Sequence, residues 1–207
     1  MFYLLLPTVS PFLRLYWKIF RIPGRENVPK GGKIYATNHC SNAEGVVLNM
    51  LHMRPVKFLG KSELFKNPIA SIGLKGFAVI PINRGASDSI AFENAVKELK
   101  KGNYVGIFPE GTRGNGRDLL PPHTGVIRLA LLADVPIVPV GISGAKKAWP
   151  KGAFFPRPRK IWVRIGEPYK VPKPPRGREY SYEELKELAR DLLFNRIEPL
   201  IDVEKNF

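Results

Sequence analysis

Residues 33–53, KIYATNHCSNAEGVVLNMLHM, decide the fold. Lys33-Ile34-Tyr35-Ala36-Thr37 reads as a strand, with apolar, aromatic and β-branched side chains in a short run. Asn38 ends it, and Ser41 is a residue type that starts helices well. Residues 42–53 then carry Val46, Val47, Met50 and Leu51 at helical spacing. A strand, a short loop and a helix form the unit of α/β architecture, and the rest of the chain continues the alternation. Further strands are expected at 56–59, 77–82, 104–108, 137–142 and 161–165, several of them apolar nearly throughout, as strands covered on both faces are. Helices are expected at 87–101, closed by Gly102, and at 124–133 and 182–201. The pattern implies one α/β sandwich with a largely parallel sheet flanked by helices.

His39 falls in the loop between the first strand and the first helix. In parallel α/β sheets, loops at strand C-termini are where ligands bind. Glu44 lies five positions on, in the first helical turn. If the loop folds His39 back, the carboxylate can hold one ring nitrogen while the other takes a proton, the logic of a base with its orienter. The same residues also fit a plainer pattern. Ser41-Asn42-Ala43-Glu44 is an S-x-x-E capping box, in which Glu44 would bond the cap amide and His39 would be a loop residue. Local sequence leaves both open. Cys40, beside His39, reads as a packing residue rather than a nucleophile, because adjacent side chains seldom face each other.

Two other strand ends carry an Arg beside a Gly. Pro81-Ile82-Asn83-Arg84-Gly85 follows the third expected strand, and Phe108-Pro109-Glu110-Gly111-Thr112-Arg113 the fourth. Arg presents a planar fork to phosphate oxygens, and Gly admits close backbone approach. Glu110 can anchor an Arg or accept from a substrate hydroxyl. Lys61, after the second strand, joins the same rim. His123, before Thr124-Gly125, reads as a cap residue or a phosphate contact, and His52 as an exposed residue late on the first helix. Val138-Pro139-Val140 reads as a rigid strand start. No cluster has metal-ligand spacing, and no Walker or dinucleotide fingerprint occurs.

Bulk properties set the setting. The 207 residues suit one domain with a real core. A single cysteine, Cys40, excludes an internal disulfide and a multi-cysteine metal site and suits a reducing compartment. The net charge of +15 points to an anionic partner. Charge alone admits nucleic acid, but no aromatic platform or recognition motif accompanies it. Residues 1–22 favour a membrane surface instead. The first thirteen are uncharged but too few to span a bilayer, which takes ~20 apolar residues. Pro7 and Pro11 are expected to break them as one helix. Phe2, Tyr3, Phe12, Tyr16, Trp17 and Phe20 mix with Arg14, Lys18 and Arg21, as in an interfacial segment. No signal-peptide cleavage site follows. Residues 1–22 thus read as a membrane-interface segment and 23–207 as the catalytic domain. Residues 145–159 form a Pro-rich basic loop with Trp149, Phe154 and Phe155, and residues 171–178 a Pro-rich connector.

These blocks together resemble the glycerophospholipid acyltransferases, in particular the 1-acyl-sn-glycerol-3-phosphate (lysophosphatidate) acyltransferases. Asn38-His39 with Glu44 matches the family's first block, with Glu where the family has Asp. The strand end at Arg84, the unchanged Phe108-Pro109-Glu110-Gly111-Thr112-Arg113 and Ile137-Val138-Pro139-Val140 match the other three, over roughly residues 20 to 170. The resemblance implies transfer of a fatty acyl group from acyl-CoA or acyl carrier protein to the sn-2 hydroxyl of lysophosphatidate, giving phosphatidate, with no cofactor. It makes His39 the general base and Glu44 its orienter, and gives the acceptor's phosphate and glycerol to Arg84, Glu110, Gly111, Thr112 and Arg113. It places the protein at the cytoplasmic face of the cell membrane, held by the N-terminal segment and the Trp149–Phe155 loop. The same chemistry on glycerol-3-phosphate, a lysophospholipid or an amino-acid lipid is the alternative. A non-catalytic lipid-binding relative, suggested by Glu44, is another.

Overall fold

The structure, a computed structural model, describes residues 2–51, 55–61, 79–82 and 89–206. Among them, six strands form one sheet: β1 (Lys33–Thr37), β2 (Val56–Lys61), β3 (Ile80–Ile82), β4 (Tyr104–Ile107), β5 (Ile137–Ser143) and β6 (Trp162–Ile165). Their spatial order is β3-β2-β4-β1-β5-β6. The central strand β1 is buried along its whole length and pairs parallel with β4 and β5, in the registers Ile34↔Val105 and Ile34↔Ile137. The β2 pairings to β3 and β4 are also parallel, and β6 runs antiparallel to β5.

Alternation along β1 separates two cores. Tyr35 joins α2 (Ala43–Met50), the short α5 (Ala145–Ala148) and Trp17 on one face. Ile34 and Ala36 join α3 (Ser89–Lys100), α4 (Gly125–Ala133) and α6 (Tyr182–Arg190) on the other. The expected sandwich with its largely parallel sheet is therefore the observed one. Because β1, β4 and β5 are parallel, the loops after Thr37, Ile107 and Ser143 emerge on one rim, which is what assembles the site.

Several local expectations are corrected. Residues 2–16 form one helix, α1 (Phe2–Tyr16), through both Pro7 and Pro11. The two prolines are four apart, so their missing N–H groups fall on one side and the ladder continues on the others. Trp17 is fully buried against the sheet instead of meeting solvent, and its carbonyl accepts from the Ile161 amide. Phe12, Leu15, Tyr16 and Phe20 do stay exposed. Val138-Pro139-Val140 lies inside β5, not at its start. Pro139 can sit there because it falls between the isolated Ile137↔Tyr169 bridge and the start of β6 pairing at Val140↔Ile165. The loop after β5 opens with the helical turn α5. The last expected helix runs as α6, then as the π-helical stretch Asp191–Ile197, then as the tight turn Glu198–Leu200, since Pro199 has no N–H to give the carbonyl four residues back. Among the described residues, no helix is long and apolar enough to cross a membrane.

Candidate active site

His39 follows β1 and Glu44 sits in the first turn of α2. The His39 Nδ1 lies 3.1 Å from Glu44 Oε2, and the carboxylate is fully buried. A carboxylate accepts only, so Nδ1 carries the proton and Nε2 is left as the basic nitrogen. Glu44 also accepts from the backbone amides of Cys40 and Ser41, at 3.0 Å each. The two readings of Glu44 are thus one arrangement: the carboxylate braces the loop and orients the ring together. The capping box itself is incomplete. Asn42, not Ser41, precedes α2, and the Ser41 hydroxyl accepts from the Ala43 amide and donates to the Trp149 carbonyl at 2.7 Å. The His39 ring stacks on Phe108, with centroids 3.8 Å apart, which fixes its plane from a second direction.

The turn after β4 clamps the His39 backbone. Glu110 Oε1 accepts the His39 amide at 2.8 Å, and the His39 carbonyl accepts the Gly114 amide at 2.7 Å. Glu110 Oε2 accepts the Leu120 amide at 2.9 Å. This carboxyl is 3% exposed, and burial pushes its pKa up against the lowering effect of the two amides. Each Glu110 oxygen thus accepts a backbone amide. Gly114 eases this approach, because a Cβ there would stand 3.2 Å from Glu110 Oε2, a tight contact. Gly111 makes the turn with φ 65°. Asn38 fixes the loop's other root. Its buried side chain accepts from the Ile142 amide and donates to the Ile142 carbonyl, at 2.9 Å each, locking the end of β1 to β5.

Cys40 is buried with its thiol 3.3 Å from Glu44 Oε1. Burial, then the neighbouring Glu44 charge, pushes the thiol far up, so it is not a thiolate at neutral pH. Thr112 is exposed, and Arg113, half-buried, donates to the Asn42 side chain and so ties this turn to the start of α2. His123 is exposed, with its amide bonded to the Pro109 carbonyl, and Thr124 is the residue before α4. Lys61 closes β2. Arg84 and His52 lie outside the described residues. Among the described residues, no group of three or more His, Cys, Asp or Glu side chains is placed to hold a metal ion.

His39 opens on a cleft that Glu110, Gly114, Arg117, Leu119 and Ile201 help to line. Three participants escape sequence reasoning. The Asn38 clamp and the Trp149 carbonyl depend on contacts across more than a hundred residues. Ile201 arrives from the chain's far end. Arg117 had a usable signal, since it closes the Gly-rich run Gly111-Thr112-Arg113-Gly114-Asn115-Gly116 that follows β4.

Comparison with known proteins places this geometry. The 1-acyl-sn-glycerol-3-phosphate acyltransferase of Borreliella burgdorferi is 28% identical over 182 residues, covering 86% of this chain and 72% of that protein. That of Bacillus subtilis is 29% identical over 153 residues, 72% of each. Among solved structures, the 1-acyl-sn-glycerophosphate (LPA) acyltransferase PlsC from Thermotoga maritima superposes with a TM-score of 0.67 at 27% identity, over 92% of this chain and 77% of that one. Residues 19–143 match the family model described as Acyltransferase. That stretch is more than half of the chain and holds every side chain around His39 named above except the cleft wall at Ile201, and the chain belongs to the acyltransferase family.

Proposed function

We propose that the protein transfers a fatty acyl group from a thioester donor to the free hydroxyl of lysophosphatidate at a membrane surface, with His39 as general base. The observation that carries this reading is the single carboxylate of Glu44. It holds His39 Nδ1 at 3.1 Å while accepting two loop amides, so the ring is set in one tautomer with Nε2 directed away from the protein's own acceptor. In the reaction, Nε2 takes the hydroxyl proton as the oxygen attacks the thioester carbonyl. The tetrahedral intermediate collapses, the carbon–sulfur bond breaks, and the imidazolium returns the proton to the leaving thiolate. Glu44 stabilises the imidazolium between these steps. No acyl-enzyme is required, and the thiol of Cys40, buried and held protonated, takes no part.

Arg117 lines the cleft, Arg113 ties the same turn to the start of α2, and the charge of Lys146 reaches Cys40 at the cleft; these cations would meet the acceptor's phosphate, with Arg84 and Thr112 as further contacts. Glu110 acts on the acceptor through the loop it braces. The names of the relatives support this acceptor. Membrane docking is assigned to two neighbouring elements. The end of α1 exposes Phe12 and Leu15, the residues after it expose Phe20, and the loop after α5 exposes Phe154 and Phe155 at 83% and 73%. The Tyr16 hydroxyl donates to the Pro156 carbonyl at 2.9 Å, which joins the two into one surface. Lys18, Arg21, Lys151 and Arg157, exposed and near these residues in sequence, suit anionic lipid, at about 1 kcal/mol per cation near the surface.

The test is thiol release from acyl-CoA or acyl carrier protein with lysophosphatidate on anionic vesicles. Release should require the acceptor and fall about 10³-fold in His39→Ala. Release indifferent to acceptor and to His39 would sink the proposal, as would lipid binding without transfer from either donor. Sedimentation with vesicles should weaken at least tenfold in Phe154→Ser/Phe155→Ser, since burying each ring contributes about 1.5–3 kcal/mol.

A further inference from the structure

A second concavity lies on the same rim, two strands from His39. It has a volume of about 380 Å³ and is lined by Lys147 from α5, Arg159 and Lys160 from the approach to β6, Trp162 at the start of β6, and Asp202, Glu204 and Lys205 from the C-terminal segment. Its place follows from the register. Asn38 is bonded to Ile142, and the next residue, Ser143, pairs with Trp162. Two strand spacings amount to about 10 Å. The C-terminal segment is the ridge between the two concavities. Glu198 and Ile201 face the His39 cleft, and Asp202 and Lys205 face the second one. Ser143 Oγ pins the ridge by accepting the Asp202 amide at 2.8 Å.

The concavity is a built feature. Gly144, at φ 81°, lets the chain before β6 come close, because a Cβ there would stand 2.4 Å from the Lys160 carbonyl oxygen. The Trp162 ring holds two ammonium groups, Lys160 Nζ at 5.0 Å and Lys205 Nζ at 4.8 Å from its centroid. Lys205 is ion-paired with Asp202. Lys147, Arg159 and Lys160 form no ion pair among the described residues. A cavity of this size with surplus cations fits a small, multiply charged phosphate ester rather than a flat protein face.

Acyl transfer brings two substrates to one histidine, and the cations beside the His39 cleft are assigned above to the acceptor. Resting on that reading, we propose that the cavity beside β6 binds the phosphorylated nucleotide end of a coenzyme A thioester. The pantetheine arm then crosses the ridge at residues 198–202 to bring the thioester to His39. The distance across two strands is shorter than that arm when extended.

The probe is adenosine 3′,5′-bisphosphate, which carries the nucleotide phosphates without the thioester. Calorimetric titration of the full chain at low salt should show one site. Lys147→Ala/Arg159→Ala/Lys160→Ala should weaken it at least tenfold, and Lys160→Arg should keep it. His39→Ala should leave it unchanged. In steady state the triple variant should raise KM for acyl-CoA about tenfold, with kcat and KM for lysophosphatidate kept, and the bisphosphate should compete with acyl-CoA. Binding needs no turnover, so a protein that binds the bisphosphate here but transfers nothing would sink the acyl-transfer reading and leave the nucleotide site standing. No binding by the intact protein overturns the proposal. So does a triple variant that alters only vesicle binding, which would give the cavity to a lipid headgroup, or only use of acyl carrier protein, which would make it a protein-docking patch.

Discussion

Around His39, the backbone N–H, the backbone C=O and one ring nitrogen are each held by a partner, and the ring face lies on Phe108. Across the ridge at residues 198–202, Lys147, Arg159 and Lys160 stand exposed at the rim of an open cavity with no ion pair among the described residues. One corner is made by removing freedom from a single group. The other is made by leaving charge unneutralised on flexible side chains. The difference matches what is proposed for each. Proton transfer tolerates little misplacement, since ~1 Å can cost ~100-fold in rate. Holding a phosphate through several long cations tolerates much more.

The comparison breaks most readily at Glu44. Glu44→Ala should lower kcat about 10³-fold, because Nδ1 and two amides lose their acceptor at once. Glu44→Asp is the sharper test. The Glu carboxylate reaches His39 at 3.1 Å and the amides of Cys40 and Ser41 at 3.0 Å, and a side chain one methylene shorter cannot keep all three. About 100-fold loss of kcat is expected, with KM for the donor unchanged. A gain in rate on Glu44→Asp would mean that the observed geometry is not the working one. Neither substitution should alter bisphosphate binding beside β6.

Glu110 comes next. Glu110→Gln keeps the shape but presents an NH₂ to one of two amide donors, leaving a buried donor unpaired at a cost of about 1–3 kcal/mol. The melting temperature should drop and kcat should fall roughly tenfold, because the His39 peptide loses one clamp. An acceptor KM that rises with kcat unchanged would instead make Glu110 a direct substrate contact. A smaller effect belongs to Ser41→Ala. It removes one of two bonds to the Trp149 carbonyl, worth about 1 kcal/mol, that join the loop bearing Phe154 and Phe155 to the His39 turn, and leaves the one from the Asn42 amide. A few-fold loss of activity on vesicles is expected. Equal loss in vesicle-free assays with a soluble acceptor would show that the bond serves only the local turn.

How much of this was legible follows from the range of each interaction. The strand–loop–helix unit, the sheet's sidedness and the Gly111 turn come from local pattern, and the structure places all of them as expected. The His39–Glu44 pair could be proposed from spacing, but its second role could not be separated from the first. Both depend on where two amides point. Glu110 looked like a ligand because it sits in a polar turn, and its burial depends on Leu120 and His39 folding over it. Trp17 looked interfacial because it stands in a run of aromatic and basic residues. What buries it is β6 and the preceding strand approach at Ile161, more than 140 residues away. The ridge and the cavity beside β6 were invisible for the same reason, since Lys147, Trp162 and Lys205 meet only after the last turn has folded back.

The smallest effect tests whether the two corners are distinct from the general electrostatics of so basic a chain. Glu98, on α3 and remote from both, is held below the usual carboxylate range chiefly by the hydrogen bond from Lys57 at 2.5 Å, against a smaller opposing effect of burial and with help from Asn103. A carboxyl with a lowered folded pKa contributes stability above its unfolded value, and loses it as pH falls through the folded one. Glu98→Gln should therefore destabilise the protein by no more than about 1 kcal/mol at neutral pH and flatten its loss of stability below the ordinary carboxylate range. A series of thermal melts from pH 7 to pH 3 reads this directly. Transfer rate and bisphosphate binding should not move. If either does, removing one negative charge far from the rim is enough to alter it, and the cavity's affinity would then come from the charge of the whole molecule rather than from Lys147, Arg159 and Lys160.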